Sequence, residues 1–236
     1  MIRCIVVLGL FVLTVGVVPA PAQQVLVDDP TSVSAGAGQL EAWHGTEESW
    51  IAPAVRVHPW LELAGGVAFL DKGTDDRRTV EYSAEGKVLL RPGSIHRIGA
   101  AVVGGIGIPQ LGVPRGRPAT IFGYSILSQD LLPGTLTAYQ NLGWIHTENG
   151  PHQLTWAARL DWTPLDRFTL IGEVYGEGRT DPSLQAALRT VLLPNRIEAD
   201  VSLTRAGPFD ARQTWATVGL TFMSTPLYGS ETDDSR

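Results

Sequence analysis

The residues able to do chemistry in this chain fall on a spacing of two. Arg159 and Asp161 stand two apart in "QLTWAARLDW" (153–162), as do Glu198 and Asp200 in "RIEADVSLTR" (196–205). Glu81, Glu85, Lys87 and Arg91 occupy odd positions of "TVEYSAEGKVLLR" (79–91). Glu173 and Glu177 share a parity in "FTLIGEVYGEG" (168–178), and Arg189 interrupts the apolar "SLQAALRTVLL" (183–193). Successive side chains of a β-strand point to opposite faces, so each ionic set lies on one side of a ribbon whose other side is apolar. Carboxylates and guanidinium groups gathered on one face can line a polar constriction that filters a solute. They can equally pair as salt bridges that fill a narrow space, because buried charges need partners whether or not anything passes.

Two registers would bring opposite charges together. If the "LPNR" hairpin pairs Leu192 with Ile197, Arg189 falls opposite Asp200. If Trp162 pairs with Phe168, Arg159 lies diagonal to Glu173, about 7–8 Å away between backbones and within reach of a long guanidinium.

Other chemistry is poorly supported. Glu173 and Glu177 are four residues apart, about 13 Å along a strand, which is too far for a glycosidase pair. Glu198 and Asp200 are closer, yet Arg189 supplies a simpler partner. His44, His58, His96, His146 and His152 sit at strand ends with no metal-ligand spacing, although His146 and His152 flank one loop and could meet across it. No nucleophile motif singles out a serine. "GGIGIPQLG" (104–112) lacks the dinucleotide-loop spacing and a following helix, so its glycines are expected to let a strand bend or neighbours approach. We assign no catalytic residue, no metal site and no cofactor. The binding candidates are the ionic set named above.

The elements that must position these residues are strands. Read with a period of two, the chain divides into twelve segments near Gly38–Gly45, Trp50–Val57, Trp60–Leu70, Thr79–Arg91, Arg97–Ile108, Ala119–Gln129, Thr135–His146, His152–Trp162, Phe168–Gly178, Ser183–Leu193, Arg196–Arg205 and Arg212–Phe222. No stretch offers a capped helical stripe. Connections alternate in character. One set is short and built on proline: "HPW", "RPGSIH", "DLLPG", "TPLDR" and "LPNR". The other is generally longer and more polar, as in "DKGTDDRR", "PQLGVPRGRP" and "AGPFDARQ". Tight turns at one end and longer loops at the other are the plan of an outer-membrane barrel.

Alternation alone leaves open which face is inside; a soluble β-protein would bury the tryptophans. Energy decides. In a barrel with the opposite facing, Lys87, Arg159 and Arg189 would enter lipid at about 2–4 kcal/mol each near the midplane, or roughly 6–12 kcal/mol together. The charged faces therefore look into the lumen. Trp144, Trp162, Phe168, Tyr82 and Phe222 near strand ends suit the aromatic girdles of such barrels.

The first residues, "MIRCIVVLGLFVLTVGVVPAPAQQ", combine Arg3, an apolar run from Ile5 to Val18 and an Ala20-Pro21-Ala22 site. They read as a signal peptide over residues 1–22, too short for a transmembrane helix. Cys4, the only cysteine, would leave with it, excluding a disulfide framework or a thiol enzyme. A formal charge of −6 and the lack of a basic stripe argue against nucleic acid.

"LDWTPLDRFTLIGEVYGE" (160–177) and "SLQAALRTVLLPNRIEADVSL" (183–203) resemble a family of bacterial outer-membrane transporters named for the meta-cleavage pathway of phenol degradation. The matching positions are Asp166, Arg167 and Glu173, then Pro194, Asn195, Arg196, Glu198 and Asp200, with "QNLGW" (140–144) a weaker match. The Asp-Arg-Pro-Asp type opening of that family is missing; this chain has "VDDPTSVSAGAGQLEAW" instead. The resemblance implies an outer-membrane barrel and uptake of small hydrophobic or aromatic compounds.

The expected architecture is all-β: a single antiparallel up-and-down barrel of about twelve strands over 38–222, embedded in outer-membrane lipid. Residues 23–37 form an N-terminal segment that either tucks into the barrel mouth as a plug, with Asp28 and Asp29 near lumen arginines, or trails as a disordered tail. Residues 223–236 are expected to form a flexible tail. The expected role is passive uptake or binding of a small solute. The alternatives are a lipid-modifying outer-membrane enzyme and a closed structural barrel.

Overall fold

The computed structural model describes residues 27–30, 33–34, 36–46, 48–70, 79–93, 97–109, 119–178, 181–207 and 214–227. The expected signal peptide, His96, most of the longer loops and residues 228–236 lie outside the described residues.

Twelve strands are present: β1 (Gly38–Gly45), β2 (Glu48–His58), β3 (Leu61–Leu70), β4 (Thr79–Arg91), β5 (Gly99–Pro109), β6 (Thr120–Leu132), β7 (Leu136–Thr147), β8 (His152–Leu165), β9 (Phe168–Glu177), β10 (Ser183–Leu193), β11 (Ile197–Ala206) and β12 (Thr214–Met223). Each pairs antiparallel with its chain neighbours, and β1 pairs with β12 from Gln39↔Met223 to Gly45↔Thr217, closing the barrel. Closure satisfies every edge, without which a sheet could not stand in hydrocarbon.

The facing follows the expected polarity. On β8, Arg159 and Asp161 are 5% and 9% exposed, whereas Leu154, Leu160 and Trp162 are 56%, 50% and 49% exposed. The outer surface is a belt of leucine, isoleucine and valine. Phe69, Tyr82 and Trp144 stand toward its loop end, and Trp60, Trp162, Phe168 and Phe222 toward its turn end. The rings of His146 and His152 do meet across their hairpin, 4.3 Å apart and stacked with Trp144. Both belong to this outward girdle and to no metal cluster among the described residues.

The five proline-containing turns share one end with both described chain termini. Two of them have type II features. Pro133 and Pro194 sit at the second position, Gly134 (φ 65°) and Asn195 (φ 55°) at the third, and the fourth-residue N–H groups reach Leu132 and Leu193 carbonyls at 3.0 Å. All five hairpins at this end break register once before the turn, at Arg56/His58, Leu89/Arg91, Asp130/Leu132, Trp162/Leu165 and Val191/Leu193; the long-loop pairings show no such shift. A bulge inserts one unpaired residue and stops alternation locally. Leu131 with Leu132 and Leu192 with Leu193 are accordingly all exposed, despite being consecutive.

One of these bulges corrects the expected β8–β9 register. Trp162 pairs with Leu170 and Leu165 with Phe168, so Arg159 stands directly opposite Glu173 and not diagonal to it. Pro164 has no N–H for the ladder and lies in the bulge between the Trp162 and Leu165 pairings, just before a tight Asp166–Arg167 turn. On β10–β11 the expected Arg189↔Asp200 register is present, with Leu192 the bulged residue.

Inside, the β5–β6 wall is an apolar cluster of Ala101, Val103 and Ile126 with Phe122 and Tyr124 packed on it. Glycines make room for those rings. A Cβ on Gly105 would stand 2.3 Å from Phe122 Cζ, and one on Gly143 2.4 Å from Tyr124 Cβ, so both positions need close approach.

Candidate functional site

The lumen of a twelve-stranded barrel must be filled or wetted, and here it is partly filled by the chain's own amino-terminal segment. The neck of that segment is fastened at the turn end. Gly36 N–H donates to Arg56 O (3.2 Å), Arg56 N–H to Ala37 O (3.1 Å), and the Arg56 guanidinium to Val33 O (3.0 Å). Ser224 N–H donates to Gly38 O and Leu227 N–H to Gly36 O, at 2.8 and 2.7 Å. Residues 224–227, the first part of the expected tail, are thus hydrogen-bonded to this neck. Their backbone groups continue the β1–β12 edge.

From the neck the segment turns into the barrel, where Val27 is 1% exposed. Its backbone is held from both sides: Val27 N–H donates to Glu173 Oε1 (3.3 Å) and Val27 O accepts from Arg159 (2.9 Å). Asp28 Oδ1 accepts from Lys87 Nζ (2.9 Å) and Oδ2 from Tyr124 OH (3.3 Å). With its amide oriented to satisfy both ends, Asn141 accepts the Asp28 N–H at 3.0 Å. Lys87 also reaches Asp29 O at 3.2 Å. Asp28 therefore meets a lysine where an arginine was expected; Arg159 takes the backbone instead. The contacts come from β4, β6, β7, β8 and β9, one half of the wall.

The ionic set resolves into three groups, centred on Arg159, Lys87 and Arg189, and some outliers. Arg159 gives Nε and Nη to Asp161, lies 4.0 Å from Glu173 Oε1, and stacks its guanidinium 5.0 Å from the Tyr139 ring centroid. Lys87 bridges Asp28 and Glu62, the latter at 3.3 Å. Arg189 pairs with Asp200 at 2.8 Å and Glu198 at 3.6 Å. Burial of these charges requires such pairing, since an unpaired ion in a low-dielectric interior is costly. Glu81 and Glu177 lie half-buried toward the loop end and away from these groups. Arg91 is not a lumen residue. It follows the β4 bulge, is exposed at the rim, and donates to Ile98 O at 2.7 Å.

Beside the segment, against β1–β4, is a cavity of about 390 Å³. Of the ionic set, Glu85, Lys87, Arg159, Arg189 and Glu198 line it. Sequence reasoning missed Glu41, Glu62, Trp43, Trp50 and Tyr124, which also line it, and Asn141, which holds the Asp28 N–H and is not part of the cavity lining. The signal for Glu41 and Glu62 was the alternation itself: they face Ala52 and Lys87 across their ladders, on the inward parity. Asn141 and Tyr124 carried no such signal, because their role depends on a segment about a hundred residues away in sequence.

Comparisons with known proteins bear on the fold. The solved structure described as "KdgM porin in complex with disordered oligogalacturonate" superposes with a TM-score of 0.63 at 11% identity, covering 79% of this chain and 98% of that one. A second structure of KdgM porin gives 0.62 at 12% identity with the same coverage. Outer membrane phospholipase A from Escherichia coli gives 0.46 at 9% identity, covering 85% and 95%, too loose to bear on chemistry. No curated protein matches the chain in sequence. None of these similarities carries the phenol-pathway name. A family profile matches residues 9–223, from the amino-terminal apolar stretch to the last residue of β12, so the chain belongs to the family described as "Uncharacterised conserved protein UCP029691" and has the fold of outer-membrane β-barrels.

Proposed function

We propose that this protein is a barrel of the Gram-negative outer membrane that takes up or binds a small solute, through a lumen closed at rest by its own residues 27–30. The proline turns and both ends of the described chain lie on the periplasmic side, the longer loops outside, and the apolar belt meets lipid. The observation behind this reading is the clasp on Val27 and Asp28, which engages Lys87, Tyr124, Asn141, Arg159 and Glu173 in mid-lumen. A segment held mainly by polar contacts to the wall, with a cavity left beside it, suits a plug that yields more than a core that sets. The resemblance to phenol-pathway transporters implies a hydrophobic or aromatic solute. The lumen favours a polar one, because an apolar molecule would strip water from its carboxylates and return no hydrogen bond.

Conductance across planar bilayers tests the plug. Wild-type protein is expected to show small, infrequent openings. Asp28→Asn, which leaves the side chain's size but removes its charge, is expected to raise the open fraction several-fold, and deletion of residues 25–34 to raise it further. Identical conductance in all three proteins contradicts a plug. A lumen that stays shut even without the segment supports the closed structural barrel.

A second reading rests on one contact. His44 Nδ1 stands 2.7 Å from Ser49 Oγ on the outward side of the β1–β2 hairpin, at the loop end where outer-leaflet lipid would lie. A serine and histidine at hydrogen-bond distance are the start of a nucleophilic site, though a third group to orient the ring is absent among the described residues. Labelling of Ser49 by a fluorophosphonate, abolished by Ser49→Ala, would favour a lipid-acting enzyme; no labelling removes it.

A further inference from the structure

The outer face of the barrel carries glutamines where acyl chains are expected to lie. On β6 and β7, Ser125, Gln129 and Gln140 share the parity of Leu127 and Leu142 and point away from the lumen, and both glutamines are exposed. Leu127 pairs with Gln140 and Gln129 with Ala138. The two amides are therefore diagonal neighbours, about 7–8 Å apart between backbones. Elsewhere on the described strands, the outward positions between the aromatic girdles are apolar residues or glycine; Thr190, opposite Phe168, already stands at girdle level.

The ladders fix the depth of Gln140. Leu136 pairs with Trp162 of the turn-end girdle and Trp144 stands in the loop-end girdle, so Gln140 lies four residues along β7 from each level. At about 3.3 Å per residue and a strand tilt near 40°, either girdle is roughly 10 Å away in depth. A glutamine side chain is too short to snorkel that far. Among the described residues neither amide has a hydrogen-bond partner, whereas Ser125 Oγ donates to Leu142 O at 3.0 Å. Acyl chains offer no donor and no acceptor, so against lipid the Gln140 amide stays unsatisfied at the depth where hydrocarbon penalises it most. Only another protein surface brings a partner there. A second copy in the same membrane does so by symmetry: a two-fold axis along the membrane normal sets every residue level with its own counterpart, and an amide carries both a donor and an acceptor. Small side chains flank the site, with Ala158 opposite Gln140 on β8 and Ala138 beside it on β7, so two walls can approach closely.

We propose that two copies of this barrel pair side by side through β6 and β7, the Gln140 amides hydrogen-bonding to each other near the two-fold axis and Gln129 extending the contact toward the turn end. Leucine suits a lipid-facing position better than glutamine does. Gln140→Leu therefore favours the single barrel while removing what holds two together, which separates association from folding.

Folded barrel labelled in two batches with donor and acceptor dyes and mixed in lipid vesicles reports pairing by energy transfer as the protein-to-lipid ratio is varied. A saturable monomer–dimer transition is expected. Gln140→Leu is expected to move its midpoint at least about tenfold toward higher protein density, and Gln129→Leu and the amide-keeping Gln140→Asn to move it less; urea unfolding is expected to show Gln140→Leu folded and no less stable than wild type. In a Cys4→Ser background, Gln140→Cys is expected to form an intermolecular disulfide on mild oxidation, whereas Val218→Cys, outward on β12 at the far side of the barrel, is not. Energy transfer no greater than random collision gives at every density, a midpoint unmoved by Gln140→Leu, or cross-linking at position 218 but not at 140 would overturn the proposal. So would a photo-crosslinker at position 140 that in whole cells joins a different protein and never a second copy. No arm measures conduction, so failure here leaves the uptake reading standing, and a barrel that pairs without conducting leaves this inference standing.

Discussion

Arg159 ties together several parts of the lumen. It is 5% exposed, and its guanidinium meets Asp161, Glu173, the Val27 carbonyl and the Tyr139 ring. Removing one partner of a buried ion group leaves the others uncompensated, typically at about 3–5 kcal/mol. Arg159→Met is therefore expected to lower stability by that order in urea unfolding from lipid vesicles. Arg189→Met is expected to cost clearly less, because the Arg189 side chain keeps 26% of its surface exposed and water can replace part of its pairing. Equal losses would mean that burial does not govern the network. At this scale the sequence was legible wherever chemistry obeyed alternation. Arg189 opposite Asp200 is read correctly, although Ile197 pairs with Leu193 and not with Leu192 as expected. Arg91 is misplaced because a bulge intervenes, and Tyr124 and Asn141 escape notice because an uncharged side chain on the inward face looks like filling until its partner is known.

The strands themselves are the most readable level. Short proline turns, polar loops and period-two apolar sets locate all twelve, and even the brief Gly38–Gly45 segment proves to be the strand that closes the barrel. Registers near the turns were less legible, since each of the five turn-end hairpins inserts a bulge. The trace of that bulge in sequence is a doubled apolar residue before the turn, as in Leu131-Leu132 and Leu192-Leu193. Turn chemistry yields a test. Asn195 holds φ at 55°, so Asn195→Gly is expected to leave stability unchanged within a few tenths of a kcal/mol, whereas Asn195→Val should cost about 1–2 kcal/mol by forcing a branched residue into the left-handed region. A second test links an element to the plug. A methyl group on Gly143 would press on Tyr124 Cβ and on Gly123 O, at 2.4 and 2.6 Å. Gly143→Ala should displace Tyr124 from Asp28 and raise conductance in the same direction as Asp28→Asn.

For the whole molecule, the distribution of charge decides both the facing of the sheet and the behaviour of its lumen. The outer surface is apolar, as a surface facing acyl chains must be; the inner surface is ionic, and among the described residues Lys87, Arg159 and Arg189 pair with carboxylates around a segment that completes their pairing. Alternation predicts the first part from sequence alone. It cannot predict the second, since the docking of residues 27–30 follows from contacts to five strands brought together only by closure.

The facing of the strands underlies every other statement and can be measured directly. Cys4 is the chain's only cysteine, so single cysteines can be introduced one at a time into a Cys4→Ser background and spin-labelled in vesicles. The adjacent pairs Ala187 and Leu188, and Ser202 and Leu203, are 8% and 37%, and 7% and 56%, exposed. Labels at Leu188→Cys and Leu203→Cys are expected to collide freely with lipid-dissolved oxygen and not with a water-soluble nickel chelate, while those at Ala187→Cys and Ser202→Cys show little oxygen contact. Oxygen contact confined to positions 187 and 202, with 188 and 203 shielded, would show the sheet facing the other way and contradict the account.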